Sequence, residues 1–157
     1  MKFISLFSFG LLITTSFFFI FDLAYAQTPP EQPVKSTQIL QTETTWNGKD
    51  IEYPQNGSEE ITALEIVFEP GAETSWHRHP VPSLAYVING ELKVILKDSG
   101  ESKIFKKGDA FAEVIDTWHY GKNIGDEPVK IVVFYIGEKG MLLTELLTEV
   151  QEEEIDE

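Results

Sequence analysis

A succession of short β-favouring segments separated by turn signals runs from Thr37 to Ile136 and limits the chain to a small set of folds. The segments are rich in β-branched and aromatic residues, and Gly-, Asn- and Asp-containing turns divide them. They read TQILQTETTW, ITALEIVFE, SLAYVI, ELKVIL, SKIFK, AFAEVI and VKIVVFYI. Many strands at this spacing predict an all-β sandwich or barrel, and the lack of a fixed internal repeat disfavours a propeller.

The pattern inside individual segments predicts which faces are buried. In ELKVIL the apolar residues alternate, as in a strand with one buried face, whereas KIVVFYI is apolar nearly throughout and indicates a strand covered on both sides. Asn89 and Gly90 predict a type I′ hairpin between the strands on either side of them. The segment MLLTELLTEV, residues 141–150, has leucines at helical spacing and predicts a short helix packed on the barrel.

The N-terminus has the features of a secretory signal peptide. A positive Lys2 precedes an apolar run from Phe3 to Phe21, and AYA at residues 24–26 is a small-x-small cleavage site. The run also approaches the lower length of a transmembrane helix, so an uncleaved anchor is the alternative. We expect a periplasmic or secreted protein with no stable membrane span after cleavage, organised as a signal peptide (1–26), a flexible lead-in (27–36), a barrel (37–137) and a C-terminal segment with an acidic tail (138–157).

Charge and cysteine content exclude several classes of function. The chain has 26 acidic and 12 basic residues, a net charge of −14 at pH 7, and an acid-rich C-terminus that indicates a solvated tail. Such a chain repels phosphate backbones, so we expect no nucleic-acid partner. Because there is no cysteine, the protein has no disulfide and no thiolate, and any metal must be held by nitrogen and oxygen ligands.

The three histidines of the chain are the candidate functional residues. His77 and His79 lie two residues apart in WHRHPVPS, so a strand there directs both rings to the same side. The third, His119, lies in DTWHYGKN. A single histidine is commonly a hydrogen-bonded interior side chain. Two imidazoles from one strand and one from another can instead form one face of a metal coordination sphere and leave positions open.

Two stretches around these histidines resemble the two motifs of the cupin superfamily. The stretch GAETSWHRHPVPSLAYVING resembles the first motif, and GDAFAEVIDTWHYGKN resembles the second. Together they span residues 71–123 and contain every histidine of the chain. The positions that match are Gly71, His77, His79 and Gly90 in the first motif and Gly108, His119 and Asn123 in the second, whereas Val114 and Asp116 replace the usual proline and second glycine.

The resemblance implies an all-β cupin jelly-roll barrel with a metal site. It implies that His77, His79 and His119 hold a divalent transition metal (Fe, Mn, Ni or Zn). The motif's glutamate falls at Ser83, which is a poor ligand, so either water completes a three-histidine site or another carboxylate enters. The spacing slightly favours water. Glu113 is the candidate carboxylate, since an inward glutamate in the apolar AFAEVI is costly without a partner; its alternative is to face solvent.

Aromatic residues near the histidines suggest a pocket for a small organic molecule. We expect Trp76 and Trp118, each adjacent to a histidine, to line it, while Tyr86, Phe111 and Tyr120 line it or pack in the core. Arg78 should point away from the two histidines beside it.

The resemblance implies a metal-dependent enzyme of the dioxygenase or of the isomerase or decarboxylase type, acting on a small organic molecule. A non-catalytic module that binds a metal or small molecule is the alternative. We also expect a homodimer in which the strand around residues 37–46 pairs across subunits.

Overall fold

The structure, a computed structural model, describes residues 35–55 and 57–148, and every regular element within those ranges is a β-strand. The expected signal peptide, the lead-in up to residue 34 and the chain from residue 149 onward lie outside the described residues. The described ranges contain no helix long and apolar enough to cross a membrane. The strands are β1 (Glu59–Phe68), β2 (His77–Arg78), β3 (Ser83–Asn89), β4 (Glu91–Leu96), β5 (Ser102–Lys106), β6 (Ala110–Ala112), β7 (His119–Asn123), β8 (Val129–Glu138) and β9 (Glu145–Leu146).

The strands form two antiparallel sheets with the core between them. One sheet has the order β1-β8-β3-β6, and the other has the order β5-β4-β7-β2-β9. In β4 the alternating Leu92, Val94 and Leu96 are buried, as the sequence predicts. In β8 every second residue from Val129 to Tyr135 is buried, and these side chains meet those of β4 in one apolar cluster. The all-β, two-sheet architecture predicted from the sequence is therefore confirmed.

The prediction that β8 is covered on both sides is wrong for the described chain. Its residues alternate between buried and more exposed positions, and Phe134 is 45% exposed. The described residues provide a second layer on only one side of the β1-β8-β3-β6 sheet. The other side, with Ile61 and Val67 of β1 and Tyr86 and Ile88 of β3, is an exposed apolar face.

The turn at Asn89 and Gly90 does not close a hairpin, in contrast to the prediction. β3 pairs with β6 and β8, whereas β4 pairs with β5 and β7, so the turn carries the chain from one sheet to the other. Gly90 has φ +81°, and a Cβ there would lie 2.7 Å from Cγ2 of Val129. The dipeptide thus correctly predicts a tight turn with positive φ at Gly90. It does not determine which strands pair, because the signal is local.

Two further segments differ from the predictions. Residues 37–46 form no strand and make only an isolated bridge, between Thr44 and Asp50, followed by a turn. The described part of the leucine-rich segment, residues 141–148, is extended rather than helical, because Glu145 and Leu146 pair with β2 as an edge strand. Tertiary pairing at the free edge of β2 outweighs the helical spacing of the leucines.

Candidate metal centre

Strand pairing brings the three histidines together. His77 of β2 is directly opposite His119 of β7, and His79 follows β2 on the same face as His77. The ring centroids are 4.3 Å apart for His77 and His119, 5.0 Å for His77 and His79, and 5.1 Å for His79 and His119. One potential ligand atom from each ring lies within 4.8 Å of the other two. The convergence predicted from the sequence is therefore present.

A backbone carbonyl holds each ring at Nδ1. His77 Nδ1 donates to the carbonyl of Ser75 at 2.8 Å, and His119 Nδ1 donates to that of Thr117 at 2.8 Å, in each case two residues back along the chain. His79 Nδ1 donates to the Leu143 carbonyl at 2.9 Å. Because a carbonyl oxygen can only accept, Nδ1 carries the proton in all three rings. Each Nε2 therefore has a lone pair available to a metal, and each ring orientation is fixed.

Burial keeps the three rings neutral. Loss of hydration lowers the pKa of His77, lowers that of His79 to about 4 and lowers that of His119 to about 3, and the mutual repulsion of the charged forms acts in the same direction for His79 and His119. The carbonyl contacts oppose these shifts but are the weaker effect for His77 and His79. Imidazole binds a metal only when it is deprotonated, so the rings are in the binding form at neutral pH.

Glu113 lies inside the protein, beside this cluster. It follows β6, and its backbone N–H donates to the Ser83 carbonyl at 2.9 Å. The residue is 6% exposed, and its Oε2 lies 3.9 Å from Nε2 of His119. That Oε2 has no hydrogen-bond partner among the described residues. Burial raises the pKa of Glu113 to about 7, against a smaller lowering by the Val114 backbone N–H.

The donor set fits a divalent first-row transition metal. Three neutral imidazole Nε2 atoms are borderline ligands and a carboxylate oxygen is a hard one, and such ions accept both, with coordination positions left for water or substrate. A bound cation would also compensate the buried carboxylate oxygen that otherwise has no partner. Ser83, at the position of the motif's glutamate, is also buried. Its backbone carbonyl accepts the hydrogen bond from the Glu113 N–H. The three-histidine group can thus hold a divalent transition metal.

A cavity of about 250 Å³ adjoins the histidines. It lies between the two sheets, and its wall includes the three histidines, Glu113 and Tyr135, together with aliphatic residues of β1, β4 and β8. Burial raises the pKa of Tyr135 to about 12, with the nearby Glu113 carboxylate as a second cause, so its hydroxyl stays protonated.

The expected aromatic residues do not line this cavity. Trp76 packs edge-on against Tyr120, and Trp118 lies under the guanidinium of Arg78, which also pairs with Glu145. The prediction for the two tryptophans is wrong because each precedes a histidine by one residue, and neighbouring residues of an extended chain face opposite sides. The same alternation places Arg78 away from the histidines, as predicted. Of the other aromatic candidates, Tyr86 lies on the exposed outer face and Phe111 stacks on Phe105 in the core.

Sequence reasoning missed the contribution of the C-terminal segment. The Leu143 carbonyl orients His79, Thr144 Oγ1 lies 3.2 Å from the same Nδ1, and Leu146 lies on the cavity wall opposite His77 in the sheet. No sequence motif marks these residues. Leu143 acts through its backbone carbonyl, and the residue type does not reveal such a role.

Turn geometry agrees with the positions that the motifs reserve for glycine. Gly71, Gly90 and Gly108 all have positive φ, between +76° and +94°. Asp116 stands at the position of the second motif's second glycine and is the only described non-glycine residue with positive φ, at +48°. Aspartate tolerates this conformation better than most residues, which explains how the substitution preserves the turn before His119.

The fold and site together define a two-sheet β-barrel with an internal three-histidine group. Residues 64–135 match the family model described as Cupin domain, which supports the cupin superfamily for this barrel. No curated protein sequence matches the chain.

Solved structures with a similar fold include oxalate decarboxylases from two bacteria. The Lactobacillus farciminis enzyme in its formate complex has 26% identity and a TM-score of 0.49, over 55% of this chain and 26% of that one. The Bacillus subtilis enzyme at pH 4.6 has 25% identity and a TM-score of 0.48, over 55% of this chain and 23% of that one. The chain therefore spans about a quarter of the length of these structures.

Proposed function

We propose that this protein is a metal-dependent cupin enzyme that acts on a small organic molecule, of the dioxygenase or of the isomerase or decarboxylase type. The observation that carries the proposal is the convergence of three histidines, each held at Nδ1 by a backbone carbonyl, on the wall of a cavity of about 250 Å³. Orientation of metal ligands by such outer contacts is typical of functional metal sites.

Residues His77, His79, His119 and Glu113 would hold the metal. The structure favours Glu113 over the water-completed alternative, because its buried Oε2 faces His119 Nε2 and has no partner among the described residues. When bound, a divalent metal supplies Lewis acidity toward a substrate oxygen or, as iron or manganese, reactivity with dioxygen. The chain itself surrounds a bound substrate with aliphatic side chains and offers the Tyr135 hydroxyl as a hydrogen-bond donor beside the site.

Turnover by metal-loaded protein tests this proposal. The protein is loaded in turn with Fe(II), Mn(II), Ni(II) and Zn(II), and dioxygen consumption and product formation are measured with catechols, thiols and β-diketones. His119→Ala should abolish any activity found. Glu73→Gln is a matched control. Glu73 is exposed, and it pairs with Lys122, which lies on the same strand as His119. Metal and ligand binding without turnover would instead support the non-catalytic binding module.

We also propose that the protein is secreted or periplasmic. The support is the sequence of its N-terminus, where an apolar run precedes AYA at residues 24–26. N-terminal sequencing of the protein from its native source should give a mature chain that begins at Gln27, and a chain that begins at Met1 would favour the membrane anchor.

A homodimer is proposed through the exposed apolar face rather than through residues 37–46. β8 has the sequence of a strand covered on both sides, yet its outer side and the neighbouring Ile61, 70% exposed, are uncovered by the described chain. Glu65 on this face pairs with Lys130, so that carboxylate is compensated, and the apolar side chains around the pair can meet those of a second chain. The four strands contain 30 residues in all. At about 3.3 Å per residue and about 4.8 Å between strands they present roughly 480 Å², somewhat less than the about 800 Å² on one side of a standard interface.

The oligomeric state of a face variant tests the dimer. Phe134→Glu should convert the dimer to a monomer in light scattering coupled to size exclusion. Ile104→Glu is the matched control, because Ile104 is 44% exposed, like Phe134, but lies on β5 in the other sheet. A wild-type monomer, or a dimer that Ile104→Glu disrupts instead, would refute this interface.

A further inference from the structure

The cavity beside the histidines has a polar end and an apolar end. At the polar end lie the three histidines, Glu113 and Tyr135. Moving away from them along β8, the inward residues are Val133 and Ile131, and the facing residues of β1 are Leu64 and Ile66, in register with that pair. A ligand that reaches the histidines with one end must therefore place the rest of its body against aliphatic side chains.

Gly121 creates space for that body next to the metal ligands. It lies two residues after His119 on β7 and therefore on the same face of the strand. It lines the cavity, and a Cβ added there would lie 3.3 Å from Cδ1 of Leu92 and 3.7 Å from the Phe68 ring. The missing side chain thus leaves room between His119 and these two apolar residues.

The charge of the wall disfavours an anionic body. Among the described residues that line the cavity there is no lysine or arginine, and Glu113 is the one carboxylate. An anionic group lying against Val133 or Leu92 would be buried with no cationic side chain of the wall to pair with it, which is unfavourable. A neutral apolar group placed there gains from leaving water.

We propose that the substrate is a small neutral molecule with one oxygen-bearing end directed at the three histidines and a ring-sized apolar body held by β1, β8 and the space at Gly121. An apolar cavity of about 150 Å³ accommodates benzene. The present 250 Å³ therefore accommodates a ring with a few substituent atoms. The proposal rests on the proposed function for its oxygen-bearing end only, since the apolar half of the cavity exists without a metal. A small dianion such as oxalate does not fit this description.

Two probes on the full chain test the two halves separately. Isothermal titration of Zn-loaded protein, in which zinc avoids dioxygen chemistry, should show catechol binding at least about 10-fold more tightly than oxalate. Toluene should bind the metal-free protein saturably and shift the methyl resonances of Val133 and Ile131 in carbon-13 spectra. If zinc does not bind, the proposed function is wrong. The toluene result still shows whether the apolar half of the cavity binds a ring. Tighter binding of oxalate, or no toluene shift at these methyls, would overturn the proposal.

Variants of the wall sharpen the result. Gly121→Val should fill the space beside Leu92 and weaken catechol binding at least about 10-fold at unchanged zinc stoichiometry. Leu64→Arg, at a position that is 42% exposed and therefore tolerant, adds a cation to the wall and should bring oxalate affinity to or above that of catechol. Ile104→Arg, with 44% exposure on β5, is the matched control and should leave both affinities unchanged. If Leu64→Arg behaves like this control, wall charge does not select the ligand and the proposal is wrong.

Discussion

Replacing Glu113 by glutamine should have opposite effects on the metal-free and the metal-bound protein. In the metal-free protein, burial raises the pKa of this carboxyl from 4.5 to about 7. As pH rises above 4.5, the unfolded chain therefore releases a proton that the folded chain retains, and the free energy of unfolding falls. This contribution to stability is complete below about pH 4.5 and is lost as pH rises through about 7. Glutamine has no proton to release, so the variant should lack this loss.

The size of the effect follows from the two pKa values. The difference between about 7 and 4.5 corresponds to roughly 3 kcal/mol at 1.36 kcal/mol per pH unit. Between pH 5 and pH 8.5, the free energy of unfolding of the metal-free wild type should fall by roughly 2 to 3 kcal/mol more than that of Glu113→Gln, because part of the effect is already lost at pH 5. With metal, the same substitution removes a compensating negative charge and should weaken binding by about 10-fold or more.

Urea denaturation in the presence of a chelator, at pH 5 and at pH 8.5, measures the effect on stability. Isothermal titration with one metal at pH 7.5 measures the effect on metal binding. Glu73→Gln makes the same charge change at an exposed residue and should alter stability by no more than about 0.5 kcal/mol. Equal pH dependence of Glu113→Gln and wild type would show that the carboxyl is not buried as described. An affinity change below about threefold would show that water, rather than Glu113, completes the site.

Three further predictions concern the site and the turn that connects the sheets. His77→Ala should abolish stoichiometric metal binding but leave a folded barrel by circular dichroism, because a core of this size does not need the ion; an unfolded variant would show a structural site. Because Glu113 holds a proton below about pH 7, metal binding at pH 6 should release about one proton more from the wild type than from Glu113→Gln, measured by titration in buffers of different ionisation enthalpy. Gly90→Ala should destabilise the protein by about 2 kcal/mol or more in urea, since φ is +81° and the new Cβ would meet Val129; an unchanged midpoint would contradict the turn.

The sequence predicted those features that depend on residue type and local period. Alternation in β4 identifies its buried face, and the two-residue spacing of His77 and His79 places both rings on one side. The glycines with positive φ mark turns for the same local reason. These features follow from the geometry of one short segment and need no knowledge of its partners.

Features that depend on pairing between distant segments could not be predicted in this way. The turn at Gly90 is as tight as a hairpin turn, but only the tertiary structure shows that it joins two sheets. The leucines of residues 141–148 have helical spacing, yet this segment pairs as a strand with the edge of β2. Glu113 is assigned to the interior by its burial and by the position of its carboxylate beside His119 in the tertiary structure, since neither the apolar surroundings nor the motif spacing decides its direction.

The most direct test of the metal centre is anomalous diffraction from crystals of the full chain loaded with cobalt or zinc. We expect one strong anomalous peak per chain, within roughly 2.0 to 2.3 Å of Nε2 of His77, His79 and His119 and of one Glu113 carboxylate oxygen. A peak at another location, coordination through Nδ1, or rings that remain without a metal at saturating concentration would contradict it.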